Sequence, residues 1–198
     1  MTEIKLCGLF RECDIEAANE IMPEYIGFVF AKGSPRYINP EKAEGLKKLL
    51  NEKITAVGVF VNEDPYKVAE LLKKGVIDAA QLHGQETEEY IEKLRTLTDR
   101  PVIRAFRIKT ESDIKEAEES SADYILLDSG AGTGEVFDWN LIKNIKRKFF
   151  LAGGLDAENV GEAVRSIRPF AVDVSSGIET GGIKDKTKMA DFAAAVRA

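Results

Sequence analysis

Short apolar runs alternate with longer, charged segments along the whole chain. The runs are Ile4–Cys7, Tyr25–Phe30, Ala56–Val61, Ala79–Leu82, Val102–Phe106, Tyr124–Leu127, Phe149–Ala152 and Phe170–Val174. They are rich in Val, Ile and Phe, as buried strands are. Between them lie stretches with helical apolar spacing: Pro40–Asn51, Pro65–Lys74, Thr87–Leu97, Glu111–Glu119 and Glu158–Ser166, with a last one from about Lys186 to Val196. Asn39-Pro40, Asp64-Pro65 and Asp156 supply caps or first-turn prolines.

Eight strand-then-helix units fit the 198 residues with none to spare, and no linker or low-complexity segment interrupts them. Such a series most simply closes into a parallel (β/α)8 barrel, a TIM barrel of class α/β, as one domain over residues 1–198. An open doubly wound sheet is the structural alternative.

A barrel places chemistry in the loops that follow its strands. The unusual residues of this chain stand there. Cys7 ends the first run and is followed at once by Gly8. Alternation puts Ile4 and Leu6 on one face and Lys5 and Cys7 on the other. Gly153-Gly154 after strand seven and Ser175-Ser176-Gly177 after strand eight occupy the usual phosphate position of the fold. The glycines let backbone N–H groups approach an anion, the serines add hydroxyl donors, Gly177 is expected to keep its turn open, and a short helical turn after it would add a dipole. Ordinary βα turns are the bland alternative for both motifs. Arg36, after Pro35, is placed to clamp a planar carboxylate, against the default of a solvated arginine.

Asp128 ends the run Tyr124–Leu127, and burial there would favour its protonated form and a role as proton donor. A helix cap or loop anchor is the alternative. The segment Ser129-Gly130-Ala131-Gly132-Thr133-Gly134 that follows suits a loop that closes over a ligand, and it is no Walker A loop. Asp173 alternates with Ser175 and is expected to contact Lys5 near the barrel mouth. The contact is either structural or a means of holding Cys7 as a thiolate. His83 and Gln81 both point to the mouth, with a structural role favoured for the histidine. Cys13 is expected as a buried filler of the first helix, and Trp139 as packing against the barrel.

Composition narrows the function. Apolar residues make up 44% and charged residues 31% of the chain. A net charge of −6 argues against general nucleic-acid or membrane-surface binding, so an anionic ligand must be held by local donors. No apolar run is long enough to span a bilayer, and no signal or transit pattern opens the chain, which suggests a cytoplasmic protein. Two cysteines and one histidine make a disulfide framework or a zinc site improbable.

The ordered motifs Lys5-Leu6-Cys7-Gly8-Leu9, Ile26-Gly27-Phe28-Val29-Phe30, Ser34-Pro35-Arg36, Val59-Phe60-Val61-Asn62, Gln81-Leu82-His83-Gly84, Leu127-Asp128 with Gly132-Thr133-Gly134 and Phe137-Asp138-Trp139, Leu151-Ala152-Gly153-Gly154-Leu155 and Asp173-Val174-Ser175-Ser176-Gly177 resemble those of the phosphoribosylanthranilate isomerases of tryptophan biosynthesis. The likeness covers nearly the whole chain. It implies an Amadori rearrangement of a phosphorylated, anthranilate-bearing sugar, N-(5-phosphoribosyl)anthranilate, without a cofactor. It implies Cys7 as general base, Asp128 as general acid, and Arg36 on the anthranilate carboxylate. Gly153, Gly154, Ser175, Ser176 and Gly177 would cradle the phosphate, with Asp173 counted among the substrate-binding residues. Leu6, Phe10 and Ser129-Gly130-Ala131 depart from the usual pattern, and Phe10 is expected near the pocket rim. The chain is read as a monomer or homodimer. Two rivals are another phosphosugar barrel enzyme and a non-catalytic phosphate-binding protein. Against the first, no lysine–glutamate set is arranged as in an indole-glycerol-phosphate synthase, and a single phosphate cradle is read. Against the second, binding alone requires neither Cys7 nor Asp128.

Overall fold

The computed structural model describes residues 1–128, 139–142 and 145–198. In chain order its elements are β1 (Glu3–Cys7), α1 (Glu12–Ile21), β2 (Tyr25–Val29), α2 (Pro40–Leu49), β3 (Thr55–Phe60), α3 (Pro65–Lys73), β4 (Ala79–Leu82), α4 (Glu88–Arg95), β5 (Val102–Arg107), α5 (Glu111–Glu119) and β6 (Tyr124–Asp128). A 3-10 turn at Trp139–Ile142, β7 (Phe149–Ala152), α6 (Val160–Ile167), β8 (Ala171–Val174), a 3-10 turn at Ser176–Ile178, the hairpin β9 (Glu179–Thr180) and β10 (Ile183–Lys184), and α7 (Lys186–Arg197) complete it. Strands β1 to β8 pair in sequence order, all parallel, and β8 pairs with β1 to close the barrel. The open-sheet alternative is thereby excluded.

Strand alternation separates two cores. Ile4, Leu6, Ile26, Phe28, Leu82, Val172 and Val174 face outward into a layer shared with the helices. Inward positions fill the barrel in tiers. Val57, Ile103, Leu126 and Phe150 form the floor, with Tyr25, Tyr124 and Phe170 packed edge-on around the Phe150 ring at 5.3, 5.8 and 5.7 Å. Cys7, Val29 and Val59 form an upper apolar cluster. The floor is solid, so only the C-terminal end of the barrel is left for a ligand.

The helix starts follow local chemistry. Asn39 accepts from the Lys42 amide and Asp64 from the Tyr66 amide, each with a proline next in the chain. Asp156 caps a turn ahead of α6 by accepting from the Glu158 and Asn159 amides, so the helix itself starts later than its spacing predicts, at Val160. Cys13 is exposed, not buried: Asp14, Ile15, Ala17 and Ala18 are the inward face of α1, and position 13 falls outside that stripe. Phe10 packs against the outer core and does not line the mouth cleft, contrary to expectation. The glycine loop 129–134, Phe137, Asp138 and the Trp139 side chain lie outside the described residues.

Candidate active site

The mouth of the barrel holds a cleft of about 290 Å³. Cys7, Arg36, His83, Asp128, Gly153, Gly154, Asp173, Ser175 and Ser176 all line it. Six different strands or their loops contribute, which is why residues so far apart in sequence meet. Among the described residues, no group of three or more His, Cys, Asp or Glu side chains is placed to hold a metal ion.

Cys7 is buried at the end of β1, in register with Gly27 of β2. Gly8 has φ +80°, and a Cβ there would meet Arg36 Cδ at 2.6 Å. Glycine at that position therefore both turns the chain out of β1 and gives the Arg36 stem its path. The expected pair forms: Lys5 Nζ donates to Asp173 Oδ1 at 2.9 Å, fully inside the barrel. Burial disfavours the Lys5 ammonium, but attraction to Asp173 and Cys7 outweighs it and raises its pKa. For Cys7 the balance goes the other way. Burial pushes the thiol up, Lys5 pulls it down, Asp173 adds to the rise, and the result lies above the ordinary thiol range. Lys5 thus lowers the Cys7 pKa, as a neighbouring cation should, but burial and Asp173 together outweigh it.

Arg36 is not a loose clamp. Its Nε and one terminal nitrogen donate to Glu179 Oε1 and Oε2 at 2.6 and 2.8 Å. Lys184 donates to the same Glu179 carboxylate at 2.6 Å and to the Ser175 carbonyl at 2.8 Å. Ser175 Oγ in turn donates to the Cys7 carbonyl at 3.2 Å. Burial works against the Glu179 charge, yet the bonds from Arg36 and Lys184 prevail and hold its pKa at about 2. A chain of polar contacts thus joins the β2 loop, the β9–β10 hairpin, the β8 loop and the end of β1. Glu179 and Lys184 were not singled out from sequence. Their signal was the Thr180-Gly181-Gly182-Ile183 turn: a two-residue hairpin loop with φ +61° and +78° sets Glu179 opposite Lys184.

In the β7 loop, Gly153 and Gly154 have φ +95° and +63°, conformations that favour glycine. Gly177 acts differently from expectation. It does not line the cleft, and a Cβ there would fall 2.0 Å from the Leu155 carbonyl oxygen. Its bareness lets the β7 and β8 loops pack against each other. The 3-10 turn also contains Gly177 instead of following it.

Asp128 meets a partner that the sequence left ambiguous. His83 Nε2 lies 3.2 Å from Asp128 Oδ2, and His83 Nδ1 lies 2.8 Å from Gln81 Nε2. Glu86, also unforeseen, accepts from the Asn62 and Gly84 amides at 2.6 and 2.8 Å and ties the β3 and β4 loops together beside His83.

Comparison with known proteins agrees with this geometry. Residues 4–195 match the family model described as N-(5'phosphoribosyl)anthranilate (PRA) isomerase. A protein of that name from Caldanaerobacter subterraneus subsp. tengcongensis is 46% identical over 204 residues, covering 100% of this chain and 98% of the relative. A solved phosphoribosyl anthranilate isomerase, in complex with reduced 1-(o-carboxyphenylamino)-1-deoxyribulose 5-phosphate, superposes with a TM-score of 0.88 at 37% identity, covering 100% of this chain and 99% of that one. Monomers generated from the dimeric isomerase of Thermotoga maritima give the same TM-score, 0.88, at 37% identity and the same coverage.

Proposed function

The chain belongs to the N-(5'-phosphoribosyl)anthranilate isomerase family of tryptophan biosynthesis, and we propose that its reaction runs between Cys7 and Asp128. The enzyme converts N-(5-phosphoribosyl)anthranilate to 1-(2-carboxyphenylamino)-1-deoxyribulose 5-phosphate. The observation that carries the site assignment is the shared cleft: the Cys7 thiol and two carboxyls line it, Asp173 tied to Lys5 and Asp128 across the mouth, with the glycine- and serine-bearing loops of β7 and β8 and a guanidinium after β2.

In this reading the substrate phosphate rests on the amides of Gly153 and Gly154 and on Ser175 and Ser176. Gly177 serves it indirectly by letting those loops meet. The anthranilate carboxylate takes the Arg36 guanidinium, whose opposite edge Glu179 holds in place. Asp128 gives its proton to the furanose ring oxygen as the C1'–oxygen bond breaks, leaving a protonated Schiff base on the anthranilate nitrogen. Cys7, as thiolate, takes the C2' proton, and the electron pair moves to form a neutral enolamine. Loss of the enol proton and protonation of C1' give the ketone. Asp173 supports this by keeping Lys5 charged beneath the sulfur, with the Lys5 charge drawing the thiol towards ionisation.

Residues 1–198 act as a single barrel domain, as a monomer or as a homodimer like the Thermotoga maritima relative. No helix among the described residues is long and apolar enough to cross a membrane. A cytoplasmic setting fits Cys7 and Cys13, which are both free thiols.

The test generates the substrate in situ and follows loss of its fluorescence. Wild type turns over; Cys7→Ala and Asp128→Ala each fall by about 10²–10⁴-fold, the usual contribution of a general acid or base. A fully active Cys7→Ala ends the proposed mechanism.

A further inference from the structure

The inner face of β4 carries Ala79 and Gln81, and His83 follows just past its end. Gln81 is 1% exposed, in a barrel interior where a polar side chain is stable only when bonded. Its amide nitrogen meets His83 Nδ1 at 2.8 Å, while its carbonyl oxygen has no partner. An amide nitrogen can only donate, so Nδ1 must accept. The imidazole proton then resides on Nε2, and that nitrogen faces Asp128 Oδ2 at 3.2 Å.

We propose that Gln81 and His83 are positioning residues for Asp128: Gln81 holds the Nε2–H tautomer of His83, and that N–H donates to the Asp128 carboxyl. The inference rests on the reading of Asp128 as the general acid. A donor on Oδ2 stabilises the carboxylate that remains once the proton has gone to the sugar ring oxygen, so it strengthens the acid, and it fixes the rotation of the carboxyl group. His83 does not need its side chain to hold the loop. Its backbone amide donates to the Phe60 carbonyl at 2.8 Å, and Glu86 anchors the neighbouring amides. The titratable groups around it are Glu86 in the loop that follows β4, Asp128 from β6, Arg107 from the end of β5 in an adjoining hollow, and Cys7, Arg36 and Asp173 across the cleft.

His83 is the chain's one histidine, so its ring nitrogens give the only imidazole signals in a long-range proton–nitrogen NMR spectrum. Wild type is expected as the Nε2–H tautomer. Gln81→Leu should let the two tautomers mix, and Asp128→Asn should shift the Nε2–H signal, because that N–H loses its carboxylate acceptor. In turnover, His83→Ala should lower kcat roughly 10-fold to 100-fold with KM little changed, the range for losing a hydrogen bond to a charged group. His83→Gln, which places an amide N–H near the Nε2 position, should recover most of that loss. An Nδ1–H tautomer in wild type, or ring signals indifferent to both Gln81→Leu and Asp128→Asn, overturns the inference. So does a His83→Ala enzyme with wild-type kcat, or one that His83→Gln fails to improve on. Absence of turnover in wild type instead overturns the functional reading, and the NMR result then decides the contact by itself.

Discussion

A methyl group on Gly27 would lie 2.6 Å from the Cys7 sulfur, closer than a side-chain carbon tolerates. The two residues are register partners on β1 and β2, and the missing side chain of one is the space occupied by the thiol of the other. Gly27 does not share the positive φ of Gly8 or Gly153, so alanine suits its backbone, and the strain of Gly27→Ala falls on Cys7, most on its sulfur and less on its Cα at 3.1 Å. We expect a folded protein whose kcat drops by about 10²-fold, the effect of misplacing a reacting group by around 1 Å. Fluorescence turnover together with circular dichroism checks it; a fully active Gly27→Ala would place the reacting thiol elsewhere.

Gly177 and Gly154 make a second, contrasting pair. Beside Gly177 stands the Leu155 carbonyl, a backbone atom that cannot swing away, whereas nothing lies within 4 Å of a Cβ on Gly154. Gly177→Ala should separate the two loops, cost about 1–3 kcal/mol of stability as overpacking does, and weaken competitive inhibition by inorganic phosphate. Gly154→Ala should cost only about 1–2 kcal/mol, from its left-handed backbone at φ +63°. Thermal unfolding and phosphate inhibition, measured side by side, separate the two causes. Equal phosphate inhibition in wild type and Gly177→Ala would contradict the loop-packing role.

The titration of Cys7 follows from its surroundings. Burial raises the thiol above its ordinary range and Lys5 opposes that rise. In a Cys13→Ser background, thiolate absorbance followed against pH should give a midpoint above that of a free thiol. Lys5→Met removes the opposing cation, so the midpoint should move higher still. The rate of alkylation by iodoacetamide at neutral pH should fall in the same variant, because the thiolate is the reacting form. A midpoint below the free-thiol value in wild type would show that Lys5 wins over burial.

Much of this was readable in the chain because it depended on period and position. Alternation alone placed Lys5 and Cys7 inside and Ile4 and Leu6 outside, and strand closure then required Asp173 to stand beside Lys5, as it does at 2.9 Å. What escaped was set by tertiary contacts. The role of Gly177 depends on a carbonyl over twenty residues away, and the phase of α1 decides that Cys13 is exposed. The ionisation of Cys7 is a contest between burial and charge whose outcome needs distances. Glu179 was missed although Gly181-Gly182 marks a hairpin turn, because a short hairpin after the last barrel strand has no place in a simple count of strand–helix units.

Glu179 offers a test in which sign and pH window are both defined. Hydrogen bonds from Arg36 and Lys184 overcome burial and lower its pKa from 4.5 to about 2 in the folded protein. A carboxyl depressed by folding contributes stability that is fully present above its unfolded value and is lost as pH falls through the folded one. Glu179→Gln removes that contribution and leaves Arg36 and Lys184 facing each other without the shared anion. At neutral pH the variant should therefore unfold at a lower temperature than wild type. As pH falls from about 4.5 towards 2 the gap should close, because wild type loses by protonation what the variant already lacks. Glu88 also has a pKa lowered to about 2, so wild type weakens in acid for more than one reason. The difference between the two melting curves isolates Glu179, since Glu88 is common to both proteins. A gap that stays constant from neutral pH down to about 2 would mean that Glu179 acts through shape and not through charge.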